Sequence, residues 1–527
     1  MNSTPPCVVH EDEHLLVVAK PAGWNTHAPD EYAGEGVYEW LRDREPRWAQ
    51  LAIMHRLDRD TSGLMVFALS VEARRSLTQQ FAEHEVQKRY LLITAGNAPS
   101  APFTAEALLS RRGERYFAGE EGDRAVTRFA PAAMPAGLPP GLRAVYAEPV
   151  TGRTHQIRVQ AAQHGFPVLG DTLYGGALAA RLHLHAGHLA FRHPATNEHV
   201  QFERAADFLA DASLDRRAAL IMPGETTAYR LLHGAADRCP GARIDRLGEW
   251  LLHQSEVPPT AQELARLESC AARGVYHRTL SRQVRKLEVE EASPRLVSGE
   301  EAPARFTVRE NGLDFELSFE EGYSTGLFLD QRDNRRRLIT AHVAAGFDVP
   351  ELAGGALLNV FAYTCVFSVC AARAGAATTS LDLSKKYLDW GRRNFVANGL
   401  DPATHDFIYG DAFDWLRRLG KTGRRFDVII LDPPTFSQSK AQGVFRAESD
   451  YGRLVAAALP VLAPGGVLLA CSNAARLAPA GFLDAIASAA DAAGRRIEQQ
   501  HYAPQPPDFP ISRDEPAHLK SVWLRIR

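Results

Sequence analysis

The sequence predicts a multidomain chain of mixed α+β and α/β class, and three observations predict it. The chain has 527 residues, more than one ordinary domain of about 100–200 residues holds. Its first part mixes short β-rich runs with helical stretches. Its last part alternates strands and helices. In the first block, residues 15–19, 64–69 and 90–94 are rich in branched and apolar side chains and read as strands, and Pro and Gly punctuate residues 131–141 as a loop between strands. Residues 1–210 are therefore expected to form one α+β domain. In the second block, 220–300, strand-like runs at 229–232 and 250–254 accompany a helix-like run at 261–273, which predicts a small central α+β domain. Residues 293–305 mix Pro, Gly and Glu and read as a linker. The third block, 301–527, places apolar runs at 357–361, 378–383, 407–409, 428–431 and 466–470 between helical stretches. Repeated βα units of this kind predict a mostly parallel sheet covered on both faces, a Rossmann-like doubly wound domain.

Composition narrows the functional classes. Hydrophobic residues make up 45% and charged residues 23%, the balance of a soluble globular protein. No apolar run reaches the roughly 18–20 residues that span a bilayer, so no membrane association is expected. The opening Met1-Asn2-Ser3-Thr4-Pro5-Pro6 has neither a basic nor an apolar region, so no signal peptide is expected. The six cysteines, Cys7, Cys239, Cys270, Cys365, Cys370 and Cys471, fit neither a disulfide framework nor a zinc pattern. A reducing, cytoplasmic setting follows. With 60 basic and 63 acidic side chains the net charge is −3, so contact with nucleic acid must come from local basic surfaces. The candidates are Arg332 with Arg335, Arg336 and Arg337, the pair Arg392 and Arg393, and the pair Arg424 and Arg425; the alternative is that these are solvated charges.

The most informative segment of the first block is His55-Arg56-Leu57-Asp58-Arg59-Asp60-Thr61-Ser62-Gly63. Guanidinium groups beside a carboxylate favour its ionised form, which suits attack on, or proton removal from, a sugar-linked base; a surface turn with salt bridges is the plain alternative. This segment resembles the catalytic motif of the RluA family of pseudouridine synthases. Glu11-Asp12-Glu13-His14-Leu15-Leu16-Val17-Val18-Ala19-Lys20-Pro21-Ala22-Gly23 is similar to that family's opening strand and turn. Lys88-Arg89-Tyr90 is similar to its Lys-x-Tyr strand. Gly152-Arg153-Thr154-His155-Gln156-Ile157-Arg158 and the Gly170-Asp171 to Gly175 segment are similar to its last motif block. The resemblance implies that Asp58 is catalytic, that Tyr90 packs on a flipped uracil, that Arg158 pairs with Asp58, and that Arg56, Arg153 and His155 contact RNA. It implies no cofactor and no metal for this half. The base must leave its stack, at a cost of a few kcal/mol, so an unpaired loop uridine is the easiest target. The run Leu182-His183-Leu184-His185-Ala186-Gly187-His188 reads either as metal ligands or as a strand with imidazoles on one face.

In the third block, Asn359, Phe361 and Tyr363 lie at the end of the first strand, and Asp382, Asp411 and Asp432 follow the second, third and fourth. Ligands of doubly wound sheets lie beyond the carboxyl ends of the strands, and an acid after the second strand can grip a ribose. This half resembles class I S-adenosylmethionine-dependent ribosomal RNA methyltransferases of the RlmI and RlmK type. The resemblance rests on Ser324-Thr325-Gly326-Leu327-Phe328-Leu329-Asp330-Gln331-Arg332, on Asn394 with Asn398-Gly399, and on Asp432-Pro433-Pro434-Thr435-Phe436-Ser437 with Ser439-Lys440. Thr227-Ala228-Tyr229-Arg230-Leu231, Pro240-Gly241 and Asp245-Arg246 extend it into the middle block. It implies S-adenosylmethionine as cofactor, with Asn359, Phe361, Tyr363, Asp382, Asp411, Asp432 and Gln331 around it. Asp382 would hold the ribose and Asp411 the adenine edge. Asp432, Pro433 and Pro434 would line the target-base pocket, with Phe436 as a stacking platform.

Two departures stand out. Cys365 replaces the family's usual glycine after Tyr-Thr, where a side chain can crowd the cofactor. Methylation of cytosine C5 needs a cysteine nucleophile, which RlmI-type enzymes carry in Ser-Cys-Ser-Gly. Here, in Ala470-Cys471-Ser472-Asn473, the cysteine falls two positions early, about 6.5 Å along a strand. The Ser-Asn pair is similar to the RlmK type, which methylates guanine N7, so a purine nitrogen is expected over cytosine C5. The expected function is therefore bifunctional RNA modification, of ribosomal RNA ahead of transfer RNA, with no obligate protein partner. The alternatives are a synthase whose methyltransferase-like half is an RNA-binding scaffold, and a methyltransferase half acting on a non-RNA substrate.

Overall fold

The computed structural model describes residues 4–280, 292–439, 443–512 and 515–527; Lys440 of the Asp432 motif lies outside them. The described chain divides into two compact units. One comprises residues up to 28, 36–41 and 50–221; the other comprises 29–35, 42–49 and 222–527. Among the described residues no helix is long and apolar enough to cross a membrane.

The first unit is built on an eleven-stranded sheet. Its middle holds Leu15–Lys20, Ser62–Ala68, Leu184–Arg192 and Gln87–Thr94 side by side. Every residue of Ser62–Ala68 is buried, the mark of a central strand. Its partner Leu184–Arg192 runs parallel to it, with Gly63 opposite Ala186; the other pairings are antiparallel. Leu15, Val17, Leu64, Val66, Leu189 and Phe191 form a core against helix Val71–Ala82. Ser70 caps that helix by accepting from the Ala73 amide.

The second unit contains a five-stranded sheet, a short hairpin and a seven-stranded sheet. In the seven-stranded sheet the order is Asp406–Tyr409, Ala377–Asp382, Ala356–Val360, Phe426–Leu431, Leu462–Ser472, then Lys520–Ile526 and Ile497–Tyr502. The first five are parallel and the last two antiparallel to their neighbours. The strand order reverses between Ala356–Val360 and Phe426–Leu431, the switch point at which doubly wound sheets bind ligands. Compactness divides the chain into two units rather than the three blocks expected from sequence. Ala228, Trp250, Leu252 and Tyr276 of the middle block share one buried apolar cluster with Phe315, Leu357 and Trp523.

Three local expectations need correction. The helix expected over residues 261–273 is Ala261–Glu268, started by a Thr260–Glu263 capping box and followed by Ala271 in the left-handed region at φ 52°. Within the linker-like 293–305, Arg295–Gly299 forms an edge strand on Gly274–Thr279. The Arg332 cluster is not a basic surface. All six residues from Arg332 to Arg337 are buried in helix Arg332–Thr340, and each arginine has an acid. Arg332 pairs with Asp508 at 2.7 Å, Arg335 with Glu310 at 2.6 Å, Arg336 with Glu45, and Arg337 with Glu35 at 3.3 Å. A buried guanidinium needs such a partner, and here the partners lie far away in sequence. Arg393 likewise pairs with Glu316 at 2.8 Å and Arg424 with Asp406 at 2.5 Å.

Candidate active sites of the two units

In the first unit Asp58 stands in the turn leading into Ser62–Ala68, closed by the Thr61 amide donating to the Asp58 carbonyl at 3.1 Å. Gly63 makes the turn feasible. Its φ is +125°, and a Cβ there would stand 2.3 Å from the Ala186 carbonyl oxygen, so only glycine allows the close strand approach. Lys20 ties the turn down from inside. Its buried ammonium donates to the carbonyls of Pro21, Trp24 and Arg59 at 3.0, 2.7 and 2.9 Å, and burial pushes its pKa down to about 7. His55 accepts from the Val66 amide at 3.1 Å; burial pushes it down to about 3, so the ring is a neutral structural acceptor.

Arg158 comes from helix Gln156–Gln163, whose preceding residue His155 is left-handed at φ 55°. Its guanidinium forks onto Asp171, Nε to Oδ2 at 2.7 Å and Nη2 to Oδ1 at 2.9 Å, and extends Nη1 to Asp58 Oδ2 at 3.3 Å. The expected Arg158–Asp58 pair is thus the outer arm of a buried Arg158–Asp171 pair. The bidentate fork fixes the plane of the guanidinium, so the arm toward Asp58 is pre-aimed. Tyr174 packs on Arg158 at 5.1 Å, and its hydroxyl meets His155 Nδ1 at 2.8 Å. The other ring nitrogen of His155 lies 3.8 Å from Asp58. Tyr90, buried in strand Gln87–Thr94, keeps its phenolic proton, because burial and then the Asp58 charge raise its pKa. Arg56, Asp58, Tyr90, Arg153, His155 and Arg158 all line one cleft of about 610 Å³. Sequence reasoning missed the roles of Lys20, Asp171 and Tyr174, although all three lie in the quoted motifs. The imidazoles of the His183 to His188 run all have hydrogen-bond partners, His185 and His188 within strand Leu184–Arg192 and His183 just before it. His185 meets Ser62 Oγ and the Arg204 carbonyl at 2.9 and 3.0 Å, His183 the Arg181 carbonyl at 2.9 Å, and His188 meets Glu203 at 3.2 Å.

In the second unit a cavity of about 330 Å³ opens at the carboxyl ends of the parallel strands. The loop after Ala356–Val360 is unusual. Phe361, Tyr363 and Cys365 all take left-handed φ, at 63°, 48° and 59°. Each such non-glycine residue costs about 1 kcal/mol or more, so neighbours must hold the loop. Asp382 accepts from the Tyr363 amide at 2.8 Å and from the Ser384 amide at 2.8 Å. Thr364 Oγ1 donates to the Gly326 carbonyl at 2.7 Å, and Asn394 donates to the Thr364 carbonyl at 2.9 Å. Cys365 does not line the cavity. Its sulfur packs on helix Lys385–Ala397 at Gly391, where an added Cβ would lie 2.3 Å from Sγ. The glycine missing from the loop is matched by a glycine on the helix. Gly391→Ala is expected to lower stability by about 1–3 kcal/mol through overpacking, against the gain of about 1 kcal/mol that alanine ordinarily brings to a helix. Thermal unfolding checks the sign.

Phe361, Tyr363, Asp382, Asp411, Asp432 and Gln331 line this cavity, together with Pro433 and Pro434. Asn359 does not; it is buried, and its amide donates to Ser368 Oγ at 3.0 Å. Nor does Phe436, whose ring lies under Arg446 at 5.1 Å. Asp411 caps helix Ala412–Lys421 by accepting from the Phe413 and Asp414 amides. Asp432 accepts from Gln331 Nε2 at 3.1 Å, and burial, with Asp330 nearby, pushes it up to about 7. Cys471 is fully buried and does not line the cavity, whereas Asn473 does. Burial, with Asp432 next, raises the Cys471 thiol far above its ordinary value. Arg453, over the Phe413 ring at 4.5 Å, also lines the cavity, and no sequence signal marked it.

Residues 14–163 match the RNA pseudouridylate synthase family. Residues 258–525, just over half of the chain, match the S-adenosylmethionine-dependent methyltransferase family. A Deinococcus radiodurans protein named ribosomal RNA large subunit methyltransferase is 36% identical over 330 residues, covering 60% of this chain and 78% of that one. An Aeromonas hydrophila protein named ribosomal RNA large subunit methyltransferase I is 32% identical over 399 residues, covering 73% and 94%. Among solved structures, the methyltransferase SMU.776, complexed with SAH, is 28% identical with a TM-score of 0.52, covering 64% of this chain and 87% of that one. The chain belongs to the S-adenosylmethionine-dependent methyltransferase family and joins that enzyme to an RNA pseudouridylate synthase domain on its N-terminal side.

Proposed function

We propose that the chain makes two modifications in ribosomal RNA: isomerisation of a uridine at the Asp58 cleft and methylation of a purine ring nitrogen at the Asp432 cavity. The observation that carries the first is the ionisable Asp58 in a cleft walled by Tyr90 and reached by Arg158. An extruded uracil stacks on Tyr90 while Asp58 acts at the sugar or base. The C1′–N1 bond breaks, the ring turns, C5 bonds to C1′, and the C5 proton is removed. The fork onto Asp171 keeps Arg158 aimed, so its outer arm holds the Asp58 carboxylate in place. Arg56 and Arg153, both exposed, are suited to backbone phosphates. Ribosomal RNA is favoured because the two curated relatives carry that name.

In the second site, S-adenosylmethionine supplies an electrophilic methyl group when bound. Asp382 has lone pairs left for a ribose diol after accepting two amides, and Asp411 lies at the next strand end for the adenine edge. Asp432 with Pro433 and Pro434 receives the target base. An ionised Asp432 accepts from the adjacent N1–H and N2–H donors of guanine, where cytosine offers a carboxylate only its N4 amino group. A ring nitrogen with its own lone pair needs positioning rather than covalent activation, and among the described residues the cavity lining includes Asn473 and no cysteine. Cys471→Ala is accordingly expected to leave methyl transfer within about twofold of the parent. Complete loss in a folded variant would favour covalent attack on cytosine C5. The reading of this half as an inert scaffold loses its motive, since Cys365 packs away from the cavity. Calorimetry checks it: no S-adenosylmethionine binding at millimolar ligand would restore that reading.

A further inference from the structure

Behind Asp432 stands a chain of hydrogen bonds whose polarity is set at its far end. Trp523 is fully buried, and its indole N–H can only donate. It donates to Asn334 Oδ1 at 2.9 Å. A second obligate donor, Arg337 Nη1, reaches the same oxygen at 3.4 Å. These two donors force the other arm of the Asn334 amide to be its NH₂ group. That arm donates to Ser521 Oγ at 3.0 Å, whose own proton goes to the Ala503 carbonyl, and to Gln331 Oε1 at 2.7 Å. With Oε1 engaged, Gln331 can turn only its NH₂ toward the cavity, where it donates to Asp432 Oδ2 at 3.1 Å. Asn334 and Gln331 are each 2% exposed, so water does not offer either amide an alternative.

We infer that Asn334 is a positioning residue for methyl transfer: it locks the Gln331 amide with its donor end on Asp432 and so holds Asp432 as a hydrogen-bond acceptor for the target base. The inference rests on the methyltransferase reading of the Asp432 cavity. The other groups facing Asp432 do not supply this donor. Asp330, on the same short turn as Gln331, is negative and engaged with His518 at 3.0 Å. Arg335, on the following helix, is committed to Glu310 and the Phe328 carbonyl. Cys471 on strand Leu462–Ser472 is at most a weak donor and itself takes a hydrogen bond from the Gln331 side chain, and Tyr451 on helix Ala447–Ala458 gives its proton to the Leu431 carbonyl at 2.9 Å.

The test reverses the polarity of the chain without changing its shape. In Asn334→Asp the carboxylate still accepts from Trp523 and Arg337 but has nothing to donate, so the Gln331 amide must turn its NH₂ inward and present its oxygen to Asp432. Two facing acceptors disfavour the ionised acid. The acid limb of the methyl-transfer pH profile should therefore move up by about one pH unit, with the KM for S-adenosylmethionine unchanged. Infrared pH-difference spectra, with Asp432→Asn as the blank, read the same midpoint without turnover, so absence of methyl transfer in the parent would sink the proposed function without deciding the role of Asn334. Trp523→Phe removes the leading donor at similar shape and should move the midpoint the same way by less; it serves if Asn334→Asp fails to fold. A midpoint equal to that of the parent in a folded Asn334→Asp or Trp523→Phe protein overturns the inference.

Discussion

Asp58→Asn is expected to lower pseudouridine formation on the order of 10³-fold or more and to leave methyl transfer unchanged. The substitution keeps the side chain's shape and removes the charge. Asp58 is the acid of the cleft that faces both Tyr90 and the free arm of Arg158, and losing a group that moves a proton or attacks costs about 10²–10⁴-fold alone. Arg158 would keep its fork on Asp171, so the cleft should hold its form and the loss should fall on the chemical step. Quantifying pseudouridine and methylated base in the same RNA, treated with parent and variant, checks this. Residual isomerisation within tenfold of the parent would move the catalytic role away from Asp58.

Asp382→Ala is expected to weaken S-adenosylmethionine binding roughly 10²-fold, about 3 kcal/mol. Two losses add. The carboxylate that can grip the ribose disappears, and the amides of Tyr363 and Ser384 lose their acceptor. The second loss matters here because three residues of that loop hold left-handed conformations and rely on outside anchors. Calorimetry reads the affinity directly. Equal affinity would remove Asp382 from the cofactor's site.

Much of the architecture was legible in the chain. Parallel strands buried on both faces read as short apolar runs, and Ala356–Val360, Ala377–Asp382 and Phe426–Leu431 announced themselves in that way. The strand Ile497–Tyr502 did not: Glu498, Gln499, Gln500 and His501 interrupt any apolar pattern. The cleft residues of the first unit were legible because they sit in four ordered motifs. What motifs do not carry is the wiring between them. Arg158 was expected to pair with Asp58, and it does at 3.3 Å, but only the fold reveals Asp171 as its main partner. The arginine run at 332–337 misled for a related reason. Local charge density reads as surface, while the carboxylates that neutralise it come from residues 35, 45, 310 and 508. Cys365 posed the opposite problem. A side chain in place of a loop glycine reads as an obstruction, and its compensation at Gly391 lies a helix away.

The most direct measurement is to incubate the purified full chain with ribosomal RNA from a strain lacking it, with and without S-adenosylmethionine, and to map the products by mass spectrometry. The account predicts a new pseudouridine in both samples and a methylated purine only where the cofactor was added. Pseudouridine that appears only with the cofactor, or an RNA that gains neither mark, would contradict two independent RNA-modifying sites in one chain.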